Sequence, residues 1–291
     1  MRKNKRAILV GFSDTHAGNR LGLCNPDTIL EDENKEGEII EYQPELTEIQ
    51  KYLWECISED KQKVIDLAND DDIVVMHHGD LTQGNKYPVE WMTTRLADQM
   101  DIAFWNMLPW LEIPNVKAMR FAKGTGSHEF GEGSSTIIVD KRLRERFPKK
   151  DIRSVYHGLC EILNITVDYA HHGPYPGSRN WLKGNEARYY LRSLMQDEID
   201  IGNHPPNLVM RGHYHTPVKE YIWKKANGIE YESWLLITPS YCLISDYARQ
   251  SSRSPHRITN GLWAIEIINN HIHHIHCFAR TVDIRTKEKI L

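Results

Sequence analysis

"RAILVGFSD", residues 6–14, decides how the chain folds. Its apolar side chains run without alternation and end in glycine and polar residues, the mark of a short strand buried on both faces. "ELTEIQKYLWECISEDKQKVIDLAN" (45–69) follows, with Ile49, Leu53, Ile57, Val64 and Leu67 at helical spacing. "DDDIVVMHHGD" (70–80) then repeats the first pattern, a buried strand from Ile73 to His77 ending in Gly-Asp.

The alternation continues. "VEWMTTRLADQMDIAFWNMLPWL" (89–111) reads as a helix, and "NVKAMRFAKGTGSHEF" (115–130) as a strand entering a glycine loop. "SSTIIVDKRLRERF" (134–147) is a helix with a serine cap, and "CEILNITVDYAHHGPYPGS" (160–178) a strand ending in a histidine-rich turn. "NEARYYLRSLMQDEI" (185–199) is a helix and "PNLVMRGHYHTP" (206–217) contains a short strand. Beyond it, "KEYIWKKANGIEYESWLLITPS" and "GLWAIEIINNHIHHIHCFAR" alternate like antiparallel strands, with an Asn-Gly hairpin signal in the first. This order predicts an α/β core with further strands rather than a doubly wound fold. Without a repeat or linker, one domain over residues 1–291 is expected. Its loop-like "AGNRLGLCNP" (17–26) and acidic "EDENKEGEIIEYQPE" (31–45) predict a solvated insertion around 17–45.

With 291 residues and 40% hydrophobic content, the chain can bury a large core. A net charge of −4 argues against a broad nucleic-acid footprint but not against a local basic patch. The 5 cysteines are odd in number and widely spaced, so free thiols in a reducing cytoplasm are expected. No apolar run is long enough to span a bilayer, and the basic N-terminus lacks a signal-peptide core, so no membrane partner is expected. The 15 histidines are many for this length, and histidine is a common metal ligand.

Polar residues of the same kind stand at four strand ends: Asp14 and His16; Asp80; His171 with His172; His213 and His215. Loops after strand C-termini gather on one edge of a sheet, where ligands bind. Mixed Asp and His donors suit a divalent first-row metal such as Mn, Fe, Zn, Ni or Co. Six donors are too many for one catalytic ion that must keep open positions. Two ions sharing a carboxylate, ~3.5–4 Å apart, fit better. In Gly-His-x-His, both imidazoles would point the same way from an extended segment.

"SDTH" (13–16), "GDLTQG" (79–84), "GTGSHE" (124–129), "AHHG" (170–173) and "GHYH" (212–215) occur in the order of the calcineurin-like metallophosphoesterases, which this chain resembles from residue 6 to about residue 217. That family's pattern is D-x-H, G-D, G-N-H-D/E, a late His, then G-H-x-H. "ITPSYCLISDYAR" (237–249) and "HHGPYPGSRNWLKGNEAR" (171–188) look closer to its phage and prophage branch. The resemblance implies a metallo-dependent phosphatase-like β-sandwich of mixed sheets, flanked by helices in αββα layers. It implies two divalent ions, manganese foremost. Asp14, His16 and His215 would hold the first, His171 and His213 the second, and Asp80 would bridge them. His128 would contact the phosphate and protonate the leaving oxygen without binding metal, while a metal-bridging hydroxide attacks. The family's asparagine ligand aligns with Ser127, a poorer donor, so the second ion is expected to be the weaker one. Thr125 is another donor in that loop, and His172 is the alternative to His171.

The function so implied is a two-metal phosphoester hydrolase, read as a phosphodiesterase with nucleic acid or nucleotides as candidate substrates. A phosphomonoesterase and a catalytically weak, metal-stabilised scaffold are the alternatives. Arg179, in the "PYPGSRNW" loop (174–181), is a candidate substrate contact, and this loop and the acidic segment are expected to shape access. Glu129 reads as a supporting or capping residue, and His77 and His78 as packed strand histidines. "HIHHIH" (271–276) resembles a metal-binding tract. Strand alternation would instead put His271 and His273 on one face, and His274 and His276 on the other. "DKRLRERFPKKDIR" (140–153) reads as a solvated helix face rather than a phosphate contact.

Overall fold

β1 (Arg6–Phe12) is buried everywhere but at its first residue, as its unbroken apolar run predicts. It lies parallel to β4 (Asp72–His77) and antiparallel to β12 (Arg257–Ile268). β5 (Val116–Ala122) and β6 (Asp151–Val155) extend the parallel side, and β13 (His271–Asp283) closes the other. The strand order of this sheet is β13-β12-β1-β4-β5-β6. A second mixed sheet runs β10-β11-β9-β8-β7. Its strands are β7 (His157–Ile162), β8 (Ile165–Ala170), β9 (Leu208–Arg211), β10 (Val218–Ala226) and β11 (Ile229–Ile237). β2 (Leu30–Glu33) and β3 (Ile39–Tyr42) form a separate exposed hairpin. The computed structural model describes residues 5–131, 134–177, 179–245, 249 and 255–289. Among them the fold is mixed α/β, with several sheets and four α-helices.

Three apolar clusters bind these layers. α1 (Glu48–Ala68), α2 (Leu96–Leu111) and α3 (Ser134–Arg146) cover one face of the first sheet. There Leu53, Met107 and Val139 share a cluster with Ile8, Val75 and Phe121. The other face meets the second sheet, with Leu9, Met76 and Ile265 clustered with Val167, Leu208 and Met210. α4 (Asn185–Asp200) covers the far face of the second sheet, Leu191 and Met195 joining Val209 and Leu235. Fully burying such a side chain is worth about 1.5–3 kcal/mol. No helix of the described residues is long and apolar enough to cross a membrane.

The structure departs from the sequence reading in identifiable places. The helix expected over 89–111 begins only at Leu96, after a separate 3-10 turn at Pro88–Glu90. Thr93 Oγ1 and Arg95 Nε instead donate to Asp98 in the first turn of α2. The strand expected over 160–178 is the hairpin β7–β8, turning at Leu163 and Asn164 with φ of 47° and 61°. β6 begins within the stretch read as a basic run, whose Arg142, Arg144 and Arg153 pair with Asp101, Asp140 and Asp151. Only β2–β3 of the acidic insertion is a solvated flap; Ala17, Leu23, Cys24 and Thr28 are buried. Asn106 fixes that buried loop, accepting from Asn25 N–H at 2.8 Å and donating to Leu23 carbonyl at 2.9 Å. A register shift opposite Glu266 and Ile267 breaks the alternation assumed for the histidine tract, pairing His274 with Glu266 and Ile272 with Ile267. His276 Nε2 lies 2.7 Å from Glu266 Oε1.

Some local signals carry through directly. Thr47 and Gln50 make a reciprocal capping box at the start of α1. The Asn227-Gly228 turn joins β10 to β11 with φ of 51° and 79°. The carboxylate of Glu129 meets the first turn of α3, accepting from Ser135 Oγ (2.7 Å), Thr136 Oγ1 (2.6 Å) and Thr136 N–H (3.2 Å). It also accepts from Gly124 N–H at 2.8 Å, tying the glycine loop to the helix. Replacing Glu129 with Ala leaves buried donors without an acceptor. The expected cost is about 2–4 kcal/mol, seen as a lowered urea midpoint. A midpoint equal to wild type would remove Glu129 from this role.

Candidate metal centre

The parallel strands β1, β4 and β5, together with β8 and β9, end at one place. Their ladder continues past the strand ends: Asp14 N–H donates to Gly79 carbonyl and His16 N–H to Asp80 carbonyl, at 3.0 and 3.1 Å. The second sheet is tied in where His171 Nδ1 lies 2.6 Å from His78 carbonyl. That carbonyl can only accept, so His171 carries hydrogen on Nδ1 and turns Nε2 inward. Metal-binding histidines are commonly fixed in this way.

Asp14, His16, Asp80, His213 and His215 all hold positive φ, between 44° and 75°. These are five of the twelve such non-glycine residues described. Asp and His adopt this conformation more readily than most residues, but it is uncommon and clusters at functional sites. His213 and His215 therefore do not lie on an extended segment, and i, i+2 alternation does not explain their convergence. Two left-handed residues aim them instead.

The candidate donor atoms form overlapping groups, each within 4.8 Å. One group is Asp14, His16 and His215; another is Asp14, Asp80 and His171. His171, His172 and His213 form a third, and His16, Asp80 and His128 a fourth. Asp80 thus joins the His16 group to the His171 group. His171 Nε2 stands 3.1 Å from Asp80 Oδ2, and His215 Nε2 stands 3.2 Å from Asp14 Oδ1. His213 N–H donates to Asp14 Oδ2 at 3.0 Å, and its Nδ1 lies 3.2 Å from His171 Nε2. His172 is exposed, its ring 4.8 Å from those of His171 and His213.

The donor set suits divalent metal. Asp14 and Asp80 are buried carboxylates. His16 Nδ1 is buried without a hydrogen-bond partner among the described residues, and the buried Asp14 Oδ1 faces His215 Nε2. Burial works against a charge on Asp14, but His215 and His171 outweigh it and hold the carboxyl below its usual range. Asp80 is held well below its usual range against the same burial, chiefly by His171. Burial likewise opposes a proton on His171, yet Asp80 and Asp14 hold its pKa up at about 9. His215 is raised despite burial, by Asp14. His16 is pushed down to about 3 by burial and His128, and His213 to about 4 by burial and His171. His171 and His215 thus face the two buried carboxylates with raised basicity.

The glycine loop supplies a residue that the family pattern does not indicate. Thr125 N–H donates to Asp80 Oδ1 at 2.6 Å. Its Oγ1 lies 3.3 Å from Asp80 Oδ2, 3.2 Å from His171 Nε2 and 3.4 Å from His213 Nδ1. Ser127, which aligns with the family's asparagine, makes no side-chain hydrogen bond among the described residues. Its carbonyl lies against Gly84, where a Cβ would come within 2.1 Å of it. Gly124 permits the approach of Thr125, because a Cβ there would stand 2.2 Å from Asp80 Oδ1.

His128 stands at the rim. Its Nδ1 lies 2.6 Å from Gln83 carbonyl, so Nδ1 is the donor there and Nε2 is left for the centre. Thr82 Oγ1 donates to His128 carbonyl at 2.6 Å. The His128 ring packs edge-on against His16 at 4.6 Å. His77 Nε2 meets Thr15 Oγ1 at 3.0 Å, and both His77 and His78 are buried supports. Arg211, buried at the end of β9, pairs with Asp168 at 2.6 Å and underlies Gly173. Nothing in its sequence context marks it out. Arg179 is exposed and lies over Trp181 at 5.7 Å, rather than among the donor groups.

No protein-family model matches the chain, and no curated protein matches it. Among solved structures, it is similar to the crystal structure of a protein of unknown function from Aquifex aeolicus. The identity is 12%, the TM-score 0.30, and the match covers 72% of this chain and 80% of that one. A likeness of that size bears on no function.

Metal binding should release protons, because an imidazole must be neutral to coordinate. With His171 held at about 9, apparent affinity for Mn²⁺ should rise with pH and level off above that value. Titration calorimetry in buffers of different ionisation enthalpy reads the released protons; affinity flat with pH would contradict this. Replacing Thr125 with Ala should weaken the more loosely held of two bound ions about tenfold. Ser127→Ala should leave both ions as in wild type. The reverse order of effects, read by metal titration, would return the donor role to Ser127.

Proposed function

We propose that this chain is a two-metal-dependent phosphoester hydrolase of the calcineurin-like kind, acting on phosphodiesters. The observation that carries the proposal is the joining of two Asp/His donor groups through Asp80, with His128 at their edge. Asp14, His16 and His215 would hold one ion; Asp80, His171 and His213 would hold the other, with Thr125 beside it. Manganese, iron, zinc, nickel and cobalt all suit such donors. Two facing mixed sheets with helices on both outer faces are consistent with a metallo-dependent phosphatase-like sandwich. Free cysteines suit a reducing cytoplasm.

When bound, the two ions supply Lewis-acid charge and ionise a water near neutral pH. The chain does the rest. Asp80 is held in place by Thr125 N–H, and His171 by the His78 carbonyl. Both would therefore hold an ion without reorganising, which is how a preorganised polar site lowers a barrier. The Gln83 carbonyl holds the Nδ1 hydrogen of His128, and the doubly protonated ring would give its Nε2 proton to the departing oxygen, leaving the neutral imidazole.

Bis-(p-nitrophenyl) phosphate should be hydrolysed with Mn²⁺, not with EDTA, and faster than p-nitrophenyl phosphate. Hydrolysis of neither would favour a metal-stabilised scaffold, and preference for the monoester would favour a phosphomonoesterase. His128→Ala should lower turnover ~10²–10⁴-fold for an alkoxide leaving group, and less for nitrophenolate. Metal content should be unchanged in that variant. Loss of metal would place His128 among the ligands.

A further inference from the structure

Aromatic rings form a row across the centre. On one flank Tyr175 packs against Tyr214 at 5.5 Å, Tyr214 against His213 at 4.9 Å, and His213 against His171 at 5.0 Å. On the other, His16 packs against His128 at 4.6 Å, and Tyr87 lies 6.2 Å beyond His128. The two buried carboxylates, Asp14 and Asp80, lie between these flanks. The loop that carries Tyr175 also carries Arg179 and Trp181. Tyr175 is half exposed, and Trp181, 76% exposed, carries the Arg179 guanidinium over its ring.

Tyr87 also lines a cleft of about 660 Å³, within the usual range for a ligand pocket. Arg20, Lys86 and Arg249 line the same cleft, as do the apolar side chains of Leu21, Ile49 and Leu243. Its acid, Glu90, is engaged by Asn19 Nδ2 at 3.3 Å and Gln83 Nε2 at 3.5 Å. Lys86 lies over the Tyr87 ring at 5.6 Å on one flank, and Arg179 shares the Tyr175 loop on the other. Successive bases of a single strand stack on such rings while basic side chains follow the phosphates. A duplex hides its base faces, and it would meet a protein with a net charge of −4.

We infer that a single-stranded nucleic acid lies across the centre, with a base on Tyr87 on one side of the reacting phosphate and bases on Tyr214 and Tyr175 on the other. Arg20, Lys86 and Arg249 receive phosphate on the first side, and Arg179 on the second. This rests on reading the centre as a phosphoester site, and it identifies the substrate as an internal phosphodiester.

The test is fluorescence anisotropy of a labelled oligothymidylate of about eight nucleotides with the full chain in EDTA, where no turnover occurs. Wild type should bind it, and bind a duplex of equal length more weakly. Tyr87→Ala and Tyr175→Ala should each weaken binding roughly 5- to 100-fold, the range for losing one stacked base. Tyr87→Phe and Tyr175→Phe keep the ring and should bind as wild type. Lys86→Ala and Arg179→Ala should each reduce the slope of log affinity against log salt by about 0.7. Absence of single-strand binding, equal binding of the duplex, or alanine variants indistinguishable from wild type would overturn the inference. Bis-(p-nitrophenyl) phosphate hydrolysis separates the two readings. Hydrolysis without oligonucleotide binding overturns the strand track alone. Binding without hydrolysis upholds the track and overturns the hydrolase.

Discussion

Two carboxylates, Asp14 and Asp80, are buried together where two sheets meet, and the rest of the centre is a response to them. An uncompensated anion in a protein interior costs several kcal/mol or more. Here the cost is met by charge and by directed donors. His215 faces Asp14 and His171 faces Asp80, at 3.2 and 3.1 Å. Backbone N–H groups of His213 and Thr125 point at the same pair, and Ser13 Oγ donates to Asp14. The donors come from the loops after β1, β5, β8 and β9, so neutralising the two acids also pins the ends of both sheets. The electrostatics of the site and the packing of the layers are one arrangement.

That arrangement is held at the expense of backbone comfort. Asp14, His16, Asp80, His213 and His215 are all left-handed, a conformation L-residues adopt rarely. A regular strand end would carry these side chains along the strand direction and away from one another. A left-handed residue turns the chain sharply within one position, so that loops from β1, β4 and β9 face a common point. Of the remaining left-handed positions, Leu163, Asn164, Asn227, Asn269 and Asn270 simply turn hairpins. Unusual backbone at the centre therefore goes with its acids and imidazoles, not with chain reversal.

The legible parts of the fold were those whose signal is local. β1 and β4 are continuous apolar runs ending in polar residues, and both are buried strands. The Asn-Gly turn and the Thr47 box are equally local. The β7–β8 hairpin was not legible, because its turn is Leu-Asn without glycine and its strands read as one apolar stretch. Six candidate donors were legible as a set because they recur in order at strand ends, and the structure brings them together in overlapping groups. Thr125 and Ser127 were both legible as candidates, but which hydroxyl faces Asp80 was not, because alignment to a motif fixes position in sequence while the loop directs the side chain. Arg211 was hidden for the same reason: its partner Asp168 lies on a neighbouring strand, beyond the reach of spacing rules.

The same loop makes the two halves of the centre unequal. Asp14, His16 and His215 form a group in which His215 Nε2 stands 3.2 Å from Asp14 Oδ1. The Asp80, His171 and His213 side has instead the Thr125 hydroxyl within hydrogen-bond distance of all three. A neutral hydroxyl is a weaker donor to a metal than a carboxamide oxygen, and it can also donate to a carboxylate. In the metal-free protein Thr125 can therefore satisfy the acid that an ion would otherwise satisfy. In the Asp14 group the facing imidazole of His215 plays that part, 3.2 Å from Oδ1. If two ions bind as proposed, the one beside the neutral Thr125 hydroxyl would be the more exchangeable. That half of the centre is also where the ring row through His213, Tyr214 and Tyr175 begins, so a ligand approaching along it would first meet the more weakly held ion.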